Sequence, residues 1–185
     1  DLGYRIEKVL FESQPGFHVT ALMYLPPGPG PHPCVLVPCG HSGNGKAYES
    51  YQRACIILAR NGIAAFCFDP IGQGERHQFL DSAGKPVVEG TIDHTYHAAP
   101  TTLLGISTAN IFIWDGIRAL DYLVTRADID PSRIGCAGNS GGGTQTSYLM
   151  ALDHRIAAAA PNCYITSFEK LLVNNGAQDA EQHIY

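Results

Sequence analysis

The sequence has no run of Lys or Arg, no apolar stretch approaching the ~18–20 residues that a membrane-crossing helix needs, and no C-x-x-C pair. Each absence excludes a class. With 12 Lys and Arg against 17 Asp and Glu, a net charge of −5 and no basic cluster, the chain carries no electrostatic footprint for nucleic acid or an anionic membrane. No basic-then-apolar leader follows Asp1, so the chain reads as soluble, with the compartment open between cytoplasm and export after removal of a signal. The six cysteines, at 34, 39, 55, 67, 136 and 163, lie mostly inside apolar runs such as Cys34-Val35-Leu36-Val37 and Phe66-Cys67-Phe68. They read as small buried hydrophobes rather than a zinc or disulfide framework. Asp93, His94 and His97 look like part of a metal pair, but two histidines three apart in a loop lack a third ligand, so the sequence assigns no metal and no cofactor.

What is present is a single domain's worth of alternating strands and helices over 1–185. Tyr4 to Glu12 and Phe17 to Leu25 are β-rich, with the turn signal Gln14-Pro15-Gly16 between them, and predict an antiparallel hairpin. After a Pro/Gly loop, Cys34 to Val37 predicts a buried strand. Tyr51, Ala54, Cys55, Leu58 and Ala59 mark a helix stopped by Asn61-Gly62, and Ile63 to Phe68 a second buried strand. Pro70 to about Leu104 has no sustained period and reads as a long surface excursion, a candidate wall for a pocket. Ile106, Ile113, Ile117, Leu120 and Val124 mark one face of a long helix, on which Trp114 is expected in the core and Asp115 to form a solvated pair with Arg118. Asp128 to Arg133 is a turn, Ile134 to Ala137 a strand, Thr144 to Leu152 a helix, Ile156 to Ala160 a fourth parallel run, and Phe168 to Val173 a weak helix. Alternation of this kind requires parallel pairing with right-handed crossovers, which gives an α/β, doubly wound, mostly parallel sheet entered through an antiparallel hairpin.

Gly138-Asn139-Ser140-Gly141-Gly142 is G-x-S-x-G between a predicted strand and a predicted helix. That context gives the motif its meaning. A strand-to-helix turn sharp enough to project a serine hydroxyl needs small residues two positions either side, here Gly138 and Gly142, so that strand and helix can approach. Ser140 is then the candidate nucleophile. The Gly141 N–H, at the helix N-terminus, is the first candidate donor to an oxyanion. A second donor should come from the loop Pro38-Cys39-Gly40-His41-Ser42-Gly43, with the His41 N–H as the candidate and its imidazole expected to pack on the loop.

The elbow, the Gly40-His41 loop and Asp69-Pro70-Ile71-Gly72-Gln73-Gly74-Glu75-Arg76 together resemble the α/β-hydrolase families that contain acetyl xylan esterases and related carbohydrate esterases. The resemblance runs from Cys34 to Pro161. Those families carry R-G-Q-G after the fourth strand, where this chain has Ile71-Gly72-Gln73-Gly74, and G-x-S-Q-G-G at the elbow, where Gly141 stands in place of Gln. The resemblance implies hydrolysis of small acyl esters, acetyl or methyl esters of carbohydrate among them, with Gly72, Gln73 and Gly74 bracing the site rather than reacting. It also implies that an acid and a histidine follow the serine on later strands. Asp179 and His183 have the right order, but at four apart on one helical face they do not reach from two strand ends. The expectation is therefore that the C-terminal strands lie outside this chain, and that a missing segment or a second chain supplies acid and base.

Two other readings compete. Gly40 to Lys46 matches G-x-x-x-x-G-K after a buried strand and could cradle phosphates, although Ala47 lacks the hydroxyl that would hold Mg²⁺. A hydrolase fold that serves only as a binding module would use the same sequence pattern.

Overall fold

The structure, a computed structural model, describes residues 2–174 and 179–182. Six strands form one mixed sheet in the order β1-β2-β4-β3-β5-β6. The hairpin β1 (Arg5–Gln14) and β2 (Phe17–Leu25) pairs antiparallel, and β2 lies antiparallel on β4 (Ala64–Phe68). From β4 across β3 (His32–Pro38), β5 (Ile129–Asn139) and β6 (Ile156–Asn162) the pairing is parallel. This is the hairpin-entered, doubly wound sheet that the alternation predicts.

Strand β4 shows why an unbroken apolar run belongs in the middle of such a sheet. All five of its residues are buried, with Ala64, Phe66 and Phe68 in the core on one face and Ala65 and Cys67 in the core on the other. The first core takes in Met23, Leu36, Ile134 and Leu149 beneath α3 (Thr108–Thr125) and α4 (Gly141–Leu152). The second takes in Tyr24, Val37 and Cys39 beneath α1 (Glu49–Arg60), which contributes Cys55 and Ala59. Each large apolar side chain buried here contributes roughly 1.5–3 kcal/mol. Strand β6 differs, since it is an edge of the described sheet and its residues Ala157 to Ala160 are exposed.

The structure corrects three sequence expectations. The stretch from 70 to 104 is not all loop, because Thr91–Leu103 forms a helix, α2, with Pro100 inside it. Its buried residues are Asp93, His94 and His97, so the face turned inward is polar and leaves no apolar period to detect. Strand β5 begins at Ile129, inside the expected turn, with an irregularity in its pairing between His32 and Cys34 of β3 that absorbs the extra residues. On α3, Trp114 is 43% exposed and donates its indole N–H to the Ser13 carbonyl at 2.7 Å. Asp115 is buried and accepts from Arg76 at 2.6 Å, while Arg118 pairs with Asp121 instead. A last helix, α5 (Phe168–Val173), follows β6 where the sequence predicts one.

Candidate active site

The carboxyl ends of β3, β4 and β5 lie side by side, so the loops that leave them converge, and an open α/β sheet places its ligand crevice at such a point. The loop after β5 is the elbow. Ser140 takes φ 56° and ψ −120°, a left-handed backbone that a side chain adopts only under constraint, at a cost of about 1–3 kcal/mol. The constraint is visible. Its N–H donates to the Asn162 carbonyl at the end of β6 (3.0 Å), and its carbonyl accepts from the Thr144 N–H one turn into α4 (3.0 Å). The side chain is exposed, and no described residue hydrogen-bonds its hydroxyl.

Close backbone approach on both sides of the serine explains the glycines. A Cβ on Gly142 would collide with the Pro38 carbonyl and lie 3.1 Å from the Gly40 nitrogen; one on Gly40 would collide with the Asn139 carbonyl and lie 3.3 Å from the Gly141 nitrogen. The elbow and the loop after β3 are therefore pressed together, which brings the Gly141 and His41 backbones to the same end of the sheet. Glutamine amides hold that pair in place. Gln73 is fully buried and donates to the carbonyls of Gly40 (2.8 Å) and Ser42 (3.1 Å), between Gly72 and Gly74 at positive φ. Gln145, in the first turns of α4, donates to the Cys39 carbonyl at 2.9 Å.

Asp69, at the end of β4, is the hub beneath these loops. Its carboxylate accepts from Thr20 Oγ1 (2.7 Å), from the backbone N–H groups of Lys46 (2.7 Å) and Glu75 (3.2 Å), and from the Lys46 ammonium. The same ammonium donates to Glu75 at 2.5 Å. This decides against the phosphate-loop reading of Gly40 to Lys46. The lysine and its own N–H are already committed to a buried carboxylate that would repel a phosphate. Cysteine nucleophiles are also set aside among the buried thiols: burial pushes the Cys136 thiol up to about 12, and likewise raises that of Cys39.

The His41 imidazole does more than pack on its loop. Its Nε2 lies 2.7 Å from Asp179 Oδ2 and 3.0 Å from Glu181 Oε2, while His94 Nδ1, from α2, lies 2.6 Å from the same Asp179 oxygen. Burial works against charge on His41, yet the hydrogen bonds to the two carboxylates prevail and push it up to about 10. Burial also opposes ionisation of Asp179, but hydrogen bonds from His41 and His94 hold its carboxyl far below the usual range. Glu181 goes the other way, raised by burial, with the neighbouring Asp179 adding to the rise. This cluster adjoins the elbow: a Cβ on Gly141 would lie 2.8 Å from Glu181 Oε1 and 2.9 Å from His41 Cε1. The sequence offers His94 only as part of a metal pair lacking a third ligand, and Asp179 only as an acid paired with His183; it does not bring either of them together with His41 and Glu181. His183 lies outside the described residues, and Asp179 is engaged by His41 and His94.

Comparison with known proteins bears on the family and the fold. A methylesterase, BT1017, superposes with TM-score 0.65 at 34% identity, over 86% of this chain and 32% of its own. The acetyl xylan esterase of Paenibacillus sp. R4 superposes with TM-score 0.62 at 22% identity, over 95% of this chain and 58% of its own, a likeness of fold. The 2,6-dihydropseudooxynicotine hydrolase of Paenarthrobacter nicotinovorans is 36% identical over 69 residues, 37% of this chain and 18% of that protein. The chain thus spans less than two thirds of the length of each. The model of the acetyl xylan esterase (AXE1) family matches residues 3–184, and the chain belongs to that family.

Proposed function

We propose that this chain carries the nucleophile half of a serine ester hydrolase that acts on small acyl esters, with acetyl or methyl esters of carbohydrate as the substrate class. The observation that carries the reading is the exposed Ser140 at φ 56° capping the N-terminus of α4, its hydroxyl free of any described partner. Ser140 Oγ attacks the ester carbonyl, and the alcohol leaves from the tetrahedral intermediate to give an acyl-serine that water then hydrolyses. The Gly141 N–H, at the positive end of α4, and the His41 N–H receive the oxyanion. The proton of Ser140 passes to a histidine oriented by an acid, both supplied from outside the described residues. Membership of the family and the 34% identity with a methylesterase support the ester class.

Intact mass spectrometry of the full-length protein after incubation with an organophosphonate probe tests the reading. One adduct is expected, absent in Ser140→Ala, together with a fall in ester hydrolysis of about 10³–10⁶-fold in that variant. A folded full-length protein that takes no label, or an undiminished Ser140→Ala, overturns it.

A further inference from the structure

His41, His94, Asp179 and Glu181 come from three separate segments, yet one donor atom of each lies within 4.8 Å of all the others. Three of the four side chains are almost wholly buried, and His41 is 25% exposed. The orientation of His94 is the informative detail. Its Nε2 lies 2.8 Å from the Ile71 carbonyl, which can only accept, so one ring hydrogen sits there, and Nδ1 points into the cluster, where it shares a proton with Asp179 at 2.6 Å that a metal ion would displace. A histidine that donates one N–H to a backbone carbonyl and turns its other nitrogen toward carboxylates has the arrangement of a metal ligand with its outer support in place. Phe112 packs edge-on against the same ring at 5.1 Å and holds its plane. A second observation comes from Glu181. It is fully buried, and while its Oε2 lies 3.0 Å from His41 Nε2, its Oε1 has no hydrogen-bond partner among the described residues, an expensive state for a buried polar atom.

We propose that these four residues form a binding site for a divalent transition-metal ion beside the elbow. Two imidazole nitrogens with two carboxylates suit Zn²⁺, Mn²⁺, Fe²⁺ or Co²⁺ better than Mg²⁺ or Ca²⁺, which prefer oxygen alone. The closest donor pairs stand 2.6–3.0 Å apart, held by shared protons, whereas ligands about 2.0–2.1 Å from a metal stand about 3.0–3.4 Å apart. Loading therefore spreads the cluster by a few tenths of an ångström and expels those protons into solvent. The inference rests on ligand geometry and is independent of the ester reading.

Calorimetric titration of the chelator-stripped, full-length protein with Zn²⁺, and with Co²⁺ followed by visible absorption, needs no substrate, so its outcome is separable from that of serine labelling. The expected result is one equivalent bound, proton release that varies with buffer, and a Co²⁺ spectrum of mixed nitrogen and oxygen coordination. Glu181→Gln, close to isosteric, and His94→Gln, each checked for native circular dichroism, should weaken binding about 100-fold or more. No stoichiometric binding by the folded protein, or binding unchanged in Glu181→Gln, overturns the proposal; should His94→Gln fail to fold, Glu181→Gln and the Co²⁺ spectrum decide it.

Discussion

The two ends of the parallel strands are built to opposite standards. At the amino end, Arg126 makes a two-pronged contact with Asp128 (2.8 and 2.6 Å), reaches Tyr122 at 2.7 Å and pairs with Glu7 at 2.9 Å, while the Asp128 carbonyl accepts the His32 N–H at 2.8 Å. The polar atoms there are paired. At the carboxyl end, Ser140 is held at positive φ, and Gln73, Gln145 and Glu181 each leave a buried oxygen without a partner among the described residues. Nearby His97 leaves both ring nitrogens so, and burial, with His94 adding to it, pushes it down to about 4, which keeps it neutral at physiological pH. One orphaned buried polar atom costs about 1–3 kcal/mol. The fold thus concentrates its unfavourable features at the end where loops converge, and a protein that only needed to be stable would have no reason to do so.

Breaking the carboxyl end at its tightest backbone contact should produce the largest effect on folding. In Gly142→Ala the new methyl meets the Pro38 carbonyl, the Gly40 nitrogen and the Cys39 carbonyl carbon, none of which a side-chain rotation can move. Destabilisation of about 3 kcal/mol is expected, or roughly 6–12 °C in thermal midpoint for a chain of this size. A midpoint within 2 °C of the parent protein would show that the elbow and the β3 loop are looser than the structure has them. Gln73→Ala should be milder. It strips the Gly40 and Ser42 carbonyls of their amide donor and empties a buried site, for about 2 kcal/mol, and it frees the loop that carries the His41 N–H. A fall of about 10–100-fold in kcat/KM on an acyl-ester substrate is expected, larger than the loss of stability alone would cause. Unchanged kinetics with lowered stability would make Gln73 a packing residue only.

The same contrast explains which parts were legible in the sequence. Strands β3 and β4 announce themselves as short apolar runs because both of their faces are buried, and the elbow is legible because its glycines, its serine and its flanking elements are contiguous. Helix α2 escapes because its buried positions are Asp93, His94 and His97, where a reading of apolar period sees only loop. The acid and histidine cluster escapes for a further reason. His94 shows as half of a ligand pair, but its companions stand at 41, 179 and 181, brought together by the fold and by no local spacing. Features made from neighbouring residues can be read in order along the chain; those made by loop convergence need the sheet topology first.

The amino end supplies the sharpest control, with the smallest expected effect. Hydrogen bonds from Arg126 lower the Asp128 carboxyl below its ordinary value, ahead of the opposing effect of burial. A carboxylate depressed in the folded state contributes stability that is fully present above its unfolded pKa of about 3.9 and is lost as pH falls through the folded value. Asp128→Asn removes that contribution, so the variant should be slightly less stable than the parent at pH 6–7, and the two should converge as the pH is lowered below about 4. Because the pair is partly open to solvent, salt should shrink the difference further. Urea midpoints measured across that range check the sign, and ester hydrolysis at pH 7 should be the same in both proteins. A difference that widens on acidification would mean that Asp128 is not the acceptor holding Arg126. A loss of activity would mean that the two ends of the sheet are coupled, and the division of labour between them would fail.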